Sequence, residues 1–172
     1  MNETMKFIPV NTPLVDGNEK KYLDECIDTG WISSEGPFVE EFEETFGNII
    51  GRKYAISVSN GSAALETAIA ALDLQKGDEV ILPTFTIISC LAPLIRLGLV
   101  PVFIDADPFT WNMDVNQVED KITPKTKVIM AVHIYGLPVD MDPLLHLVDK
   151  YGLKVIEDTA EAHGLHYKGR TC

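Results

Sequence analysis

Apolar residues recur along this chain in two rhythms, and the change falls near residue 50. Before it, Phe38, Phe42, Thr45, Phe46 and Ile49 share one helical stripe, which predicts a helix over Phe38 to Ile50. Glu40, Glu41, Glu43 and Glu44 fall mostly on the other face, as a solvated surface requires. Glu19 to Asp28 reads as an earlier helix stopped by Gly30. The loop between them, Gly30 to Pro37, carries an exposed-looking Trp31. Residues 1–50 therefore read as an N-terminal helical segment, and 51–172 as a different unit.

From Arg52 onward, short Val/Ile/Leu runs alternate with helical patterns. Tyr54 to Val58, Glu79 to Leu82, Val100 to Ile104, Lys127 to Val132 and Leu153 to Glu157 read as strands. Ala63 to Leu72, Ile87 to Leu97, Val115 to Ile122 and Met141 to Lys150 read as helices, with Pro93 an awkward residue inside the second. Met141, Leu144, Leu145 and Val148 form the apolar face of the last helix, and Pro143 lies in its first turn. Strands that are apolar throughout have both faces covered. The predicted class is α/β, a mostly parallel sheet covered by helices, with right-handed crossovers. Ligands in such sheets bind beyond the carboxyl ends of the strands. Those ends present Ser59-Asn60-Gly61-Ser62, Pro83-Thr84-Phe85, Asp105, His133 and Asp158.

Composition narrows the class. Across 172 residues, 46% are hydrophobic and 23% charged, which suits a globular protein and argues against a disordered chain. A net charge of −12 argues against general binding to nucleic acid or to anionic membranes, but not against a local anion pocket. No apolar run is long enough to span a membrane. Met1 to Val10 lacks the basic start and apolar core of a secretory signal, which points to a cytoplasmic protein. Cys26, Cys90 and Cys172 match no metal or disulfide pattern and read as reduced, partly buried thiols.

The strand ends limit the chemistry. A dinucleotide fingerprint or a P-loop needs more glycines than Ser59-Asn60-Gly61-Ser62-Ala63-Ala64 offers. The segment does suit a single phosphate, because small residues there let an anion approach the first amides of a helix. An ordinary N-cap by Asn60 or Ser62 is the plain alternative. Asp158 can pair with a cationic ring nitrogen, or it can cap the turn that follows. A metal set from Glu157, Asp158, Glu161, His163 and His166 has no standard spacing, so no metal site is assigned. Phe85 can stack on a flat ring or pack in the core. Taken together, a phosphate cradle, a ring-stacking aromatic and a ring-nitrogen carboxylate are contacts for pyridoxal 5'-phosphate.

The sequence resembles the DegT-type nucleotide-sugar aminotransferases. Four segments carry the resemblance: Asn60 to Leu65, Gly77 to Thr86, Val132 to Asp142 and Val155 to Gly164. The loop Gly30-Trp31-Ile32-Ser33-Ser34-Glu35-Gly36 is most similar to that of the perosamine-forming members. The resemblance implies the type I fold of pyridoxal-phosphate enzymes and homodimers with shared active sites. By matching motif, Ser62 and the Ala63 amide would hold the cofactor phosphate, Phe85 would stack on its ring and Asp158 would pair with its nitrogen. Glu161 would approach its phenolic oxygen. Asn60 and His163 would stand behind these residues, with His163 more simply a packed core histidine. Trp31, Ser33 and Ser34 would border the sugar-nucleotide.

The implied reaction moves an amino group from L-glutamate to C4 of a nucleotide-linked 4-keto-6-deoxy sugar, for O-antigen or other glycan biosynthesis. GDP is the expected nucleotide, from the Trp31 loop and Glu161. The family's Schiff-base lysine follows a further strand beyond Tyr167-Lys168-Gly169-Arg170, so it is not in these residues, and Lys168 reads as a surface turn. The chain is thus expected to be an N-terminal portion, with 51–172 an incomplete cofactor-binding domain and the C-terminal small domain absent. By itself it is expected to be inactive. Two alternatives stay open: a dehydratase of the same family, in which histidine replaces that lysine, and a non-catalytic fragment.

Overall fold

The computed structural model describes residues 7–9 and 11–172, so most of Met1 to Val10 lies outside the described residues. Helix α1 (Glu19–Thr29) ends where Gly30 takes φ 77°, a left-handed turn that favours glycine. Helix α2 (Pro37–Ile49) opens on Pro37, whose fixed φ suits a first turn. Tyr22 and Phe38 meet edge to face at 5.2 Å between them. No residue of α1 is buried, and α2 buries only Gly47, so the apolar stripes of both helices stay on the periphery.

The centre is a four-stranded parallel sheet of β1 (Glu79–Pro83), β2 (Val100–Ile104), β3 (Thr126–Val132) and β4 (Lys154–Asp158), in the order β2-β1-β3-β4. Ile81 pairs with Val102 on one side and with Ile129 on the other. Alternation within each strand splits the core in two. Val80, Leu82, Val128, Met130 and Val132 pack with Leu65 and Ile69 of α3 (Gly61–Ala70) and Leu94 of α4 (Ala92–Leu97). Ile81, Ile129 and Ala131 face the other way, onto Met141, Leu144 and Leu147 of α5 (Met141–Tyr151). Both faces are covered, as the unbroken apolar runs require.

Four expectations need correction. Tyr54 to Val58 forms no strand, so the sheet has four members rather than five. Tyr54 and Ile56 are 76% and 75% exposed, and among the described residues no strand lies beside them to take their backbone groups. Ile87 to Leu97 is not one helix but a 3-10 turn, Ile88–Cys90, followed by α4. Pro93 has no N–H to give, and it sits in the first turn of α4, where none is needed. Val115 to Ile122 is two 3-10 turns, Val115–Gln117 and Glu119–Lys121, pinned by the fully buried Val118. Last, a small antiparallel hairpin, β5 (His166–Tyr167) with β6 (Arg170–Thr171), was not expected, because two-residue strands carry no alternation to read. Among the described residues no helix is long and apolar enough to cross a membrane.

Candidate active site

The first candidate element is the start of α3, which follows the non-strand segment 54–60. Asn60 caps it: its Oδ1 accepts the Ala63 N–H at 2.9 Å, and its carbonyl accepts the Ala64 N–H at 3.1 Å. The plain cap is therefore formed, and it engages the Ala63 amide that was expected to face a phosphate. Gly61 and Ser62 remain at the positive end of the helix. That end is open, since a Cβ on Gly61 would meet nothing within 4 Å. The Ser62 hydroxyl is not isolated, because it lies 2.7 Å from the Ser89 hydroxyl.

Ser89 and Cys90 are neighbours in the 3-10 turn, and Cys90 leads to the second element. Its Sγ lies 3.3 Å from Asp158 Oδ2, at the end of β4, and 3.1 Å from Thr86 Oγ1. A thiol has one proton. With that proton donated to the carboxylate, the Thr86 hydroxyl donates to the sulfur. Burial pushes the Cys90 thiol up to about 12; the Thr86 hydroxyl opposes the rise and the Asp158 charge adds to it. The other Asp158 oxygen, Oδ1, accepts the Ala160 N–H at 3.1 Å, so the turn-capping reading is also realised.

The third element is aromatic. Phe85, just past β1, packs on the α3/α4 side of the core. It also meets Trp111 edge-on at 5.3 Å and Tyr135 at 6.2 Å. Both partners have left-handed backbones, Trp111 with φ 64° and Tyr135 with φ 48°. For bulky residues such a conformation costs about 1–3 kcal/mol each and persists only where surrounding structure holds it. Buried Asn112 does so. Its Nδ2 donates to the Leu137 carbonyl at 2.9 Å, and its Oδ1 accepts the Ile134 N–H at 3.0 Å, joining the two loops. The Tyr135 N–H in turn donates to Glu161 Oε2 at 2.7 Å.

Two connected sets thus stand at the strand ends: Ser62–Ser89–Cys90–Asp158, and Phe85 with Trp111, Tyr135 and Glu161. Other candidates lie elsewhere. His163 is exposed and edge-on to Phe46 at 5.7 Å, so it is not the core histidine expected. The core histidine is His133, whose Nδ1 accepts the Val139 N–H at 3.0 Å and whose Nε2 lies 3.5 Å from Glu157 Oε2. Glu157 and Asp158 alternate along β4 and serve different partners. Among the described residues no three acidic, histidine or cysteine side chains group around a metal position. Trp31, Ser33 and Ser34 are exposed in their loop, where the Trp31 ring would lie 3.2 Å from a Cβ on Gly36. Lys168 sits in the β5–β6 turn, paired with Asp142. The sequence reading missed Ser89, Cys90, Trp111 and Asn112; Pro93, which breaks the pattern after Cys90, was the one local sign of a turn there.

Known proteins share this arrangement of chain. GDP-perosamine synthase of Escherichia coli O157:H7 is 48% identical over 166 residues, which cover 96% of this chain and 46% of that protein. An aminotransferase from Psychrobacter cryohalolentis superposes with a TM-score of 0.88 at 38% identity, covering 92% of this chain and 40% of that one. GDP-4-keto-6-deoxymannose-3-dehydratase superposes with a TM-score of 0.89 at 30% identity, covering 95% of this chain and 44% of that one. It has been solved with a trapped PLP-glutamate geminal diamine and, as a variant, with bound GDP-perosamine. The chain spans just under half the length of the curated relatives it matches. The profile of the DegT/DnrJ/EryC1/StrS aminotransferases matches residues 13–172, and the chain belongs to that family.

Proposed function

We propose that the protein of which these residues are part transfers an amino group from L-glutamate to C4 of GDP-4-keto-6-deoxymannose, using pyridoxal 5'-phosphate. The observation that carries this reading is the pair of opposed chemistries joined through Ser89 and Cys90. Hydroxyls at an open helix N-terminus lie at one end and a carboxylate at the other. That donor and acceptor set fits a flat ring bearing a phosphate and a protonated ring nitrogen. Identity of 48% to a GDP-perosamine synthase favours amino transfer to the GDP sugar over the dehydratase reading, whose structural relative is 30% identical.

When bound, pyridoxal phosphate would supply an electron sink for the substrate carbanion. Asp158 holds the ring nitrogen protonated, with its own carboxylate oriented by Cys90 and Ala160. The Gly61 and Ser62 amides and the Ser62 hydroxyl bind the phosphate. Phe85, held edge-on by Trp111 and Tyr135, would cover one face of the ring. Glu161, oriented by the Tyr135 N–H, faces the phenolic oxygen. Lys168 has no part, being committed to Asp142. The lysine that moves the substrate proton belongs to the part of the enzyme these residues do not cover. A second copy is expected to complete the site, and Tyr22, Leu23 and Ile27, exposed on α1, offer it an apolar surface.

The test is the full-length protein with pyridoxal phosphate, L-glutamate and a panel of GDP-, UDP- and dTDP-linked keto sugars. A GDP-linked 4-amino sugar, formed in step with 2-oxoglutarate, is the expected product. Loss of a sugar hydroxyl without gain of nitrogen would establish the dehydratase instead. No reaction with any keto sugar would overturn both readings. Asp158→Asn is expected to lower kcat at least a hundredfold while the protein still folds.

A further inference from the structure

We infer that the turn Ile88–Cys90 is the spacer of the site: Ser89 positions the Ser62 hydroxyl at the phosphate end, and Cys90 positions the Asp158 carboxylate at the ring-nitrogen end. The inference rests on the pyridoxal-phosphate reading above and assigns roles to two residues that touch the cofactor's partners rather than the cofactor.

Consecutive Cα atoms are about 3.8 Å apart, so one peptide unit fixes the relation between the two contacts. The turn is closed by its own backbone hydrogen bonds. The Cys90 N–H donates to the Ile87 carbonyl at 3.1 Å, and the Leu91 N–H donates to the Ile88 carbonyl at 3.0 Å. Cys90 is fully buried against Leu94 and the α3/α4 side of the core, while Ser89 is only half-buried and reaches Ser62. A carboxylate held by one oxygen swings about its broad terminal torsion. Asp158 is held by both, Oδ1 by the Ala160 N–H and Oδ2 by the thiol, so its plane is set. Only an un-ionised thiol can do this, and burial keeps Cys90 in that form across the physiological range. A thiolate beside Asp158 would repel the carboxylate instead of orienting it. Thr86 donates to the sulfur from behind and fixes the direction of the S–H.

The two ends predict separable failures in the full-length apo-protein titrated with pyridoxal phosphate and with pyridoxal, which lacks the phosphate. Ser89→Ala is expected to weaken pyridoxal phosphate binding about tenfold and leave pyridoxal binding unchanged. Cys90→Val keeps the volume and removes the donor. It is expected to weaken both ligands alike and to lower the pH at which the bound ring loses its proton, read from the absorbance of the complex. Cys90→Ser restores a donor and is expected to recover both values. Thr86→Val, at a half-buried position, gives a smaller shift in the same direction, and thermal melts of each variant separate loss of fold from loss of positioning. Wild-type affinity and pH profile in Cys90→Val and Thr86→Val would overturn the role of Cys90. Equal loss of both ligands in Ser89→Ala would overturn that of Ser89. Failure of the wild-type protein to bind pyridoxal phosphate would instead sink the cofactor reading.

Discussion

Tyr54 to Val58 and Glu79 to Pro83 carry the same kind of apolar run, and only the second becomes a strand. Val80, Ile81 and Leu82 are fully buried between β2 and β3, whereas Ile56 is 75% exposed. The difference lies in the neighbours. The run at 79–83 finds ladders on both sides, and the run at 54–58 finds none among the described residues. Apolar composition makes a segment able to join a sheet; pairing makes it a strand. The largest effect that tests this contrast is core truncation. Leu82→Ala is expected to cost about 2–5 kcal/mol in denaturant unfolding, through lost burial and the cavity left behind. Ile56→Ala is expected to stay within about 0.5 kcal/mol, as exposed substitutions do. Comparable losses at the two positions would mean that the segment at 54–58 is packed, and the contrast would collapse.

The same contrast explains what could be read from the sequence. The α/β class, four of five strands, α5 and the strand-end positions of Phe85 and Asp158 follow from local periodicity, because each of those runs has a covered face, whereas Ser62 was placed by a strand at 54–58 that does not form. The Cys90–Asp158 contact joins residues 68 apart, and the Ser62–Ser89 contact joins residues 27 apart. No local pattern encodes either one. Trp111 and Tyr135 were equally invisible as partners of Phe85, since buried Asn112 brings their loops together. His163 was misplaced because a histidine after a strand looks alike whether it turns inward, as His133 does, or outward.

A smaller effect is expected where the unpaired segment hands over to α3. Asn60 is the boundary, extended in its own backbone and capping the helix with its side chain. Asn60→Ala is expected to cost about 1 kcal/mol of unfolding free energy, and Asn60→Asp to restore most of it. If the order of α3 came from its packing alone, the two variants would be equal. A measured difference shows that the cap, and not packing alone, sets the start of the helix.

The smallest effect concerns the side-chain hydrogen-bond anchor that the 54–58 segment has among the described residues. Glu43 on α2 accepts the Ser57 N–H at 2.7 Å and the Ser57 hydroxyl at 2.9 Å. The backbone donor first, then the hydroxyl, holds the Glu43 carboxyl below the usual carboxylate range. A carboxyl lowered in the folded state adds stability that is fully present above its unfolded value, near 4.3, and is lost as pH falls through the lower folded value. Hydrogen exchange of the Ser57 amide, corrected for intrinsic rates, is therefore expected to stay slow as pH drops through the ordinary carboxylate range and to speed up only below it. The Ile81 amide, in a ladder with no titrating partner, is expected to show no such step. Glu43→Gln keeps one acceptor oxygen and removes the charge, so it should abolish the step without abolishing all protection. A Ser57 amide whose exchange ignores both pH and Glu43→Gln would mean that backbone pairing, not a side chain, holds the segment, and the two apolar runs would then differ less than their exposure implies.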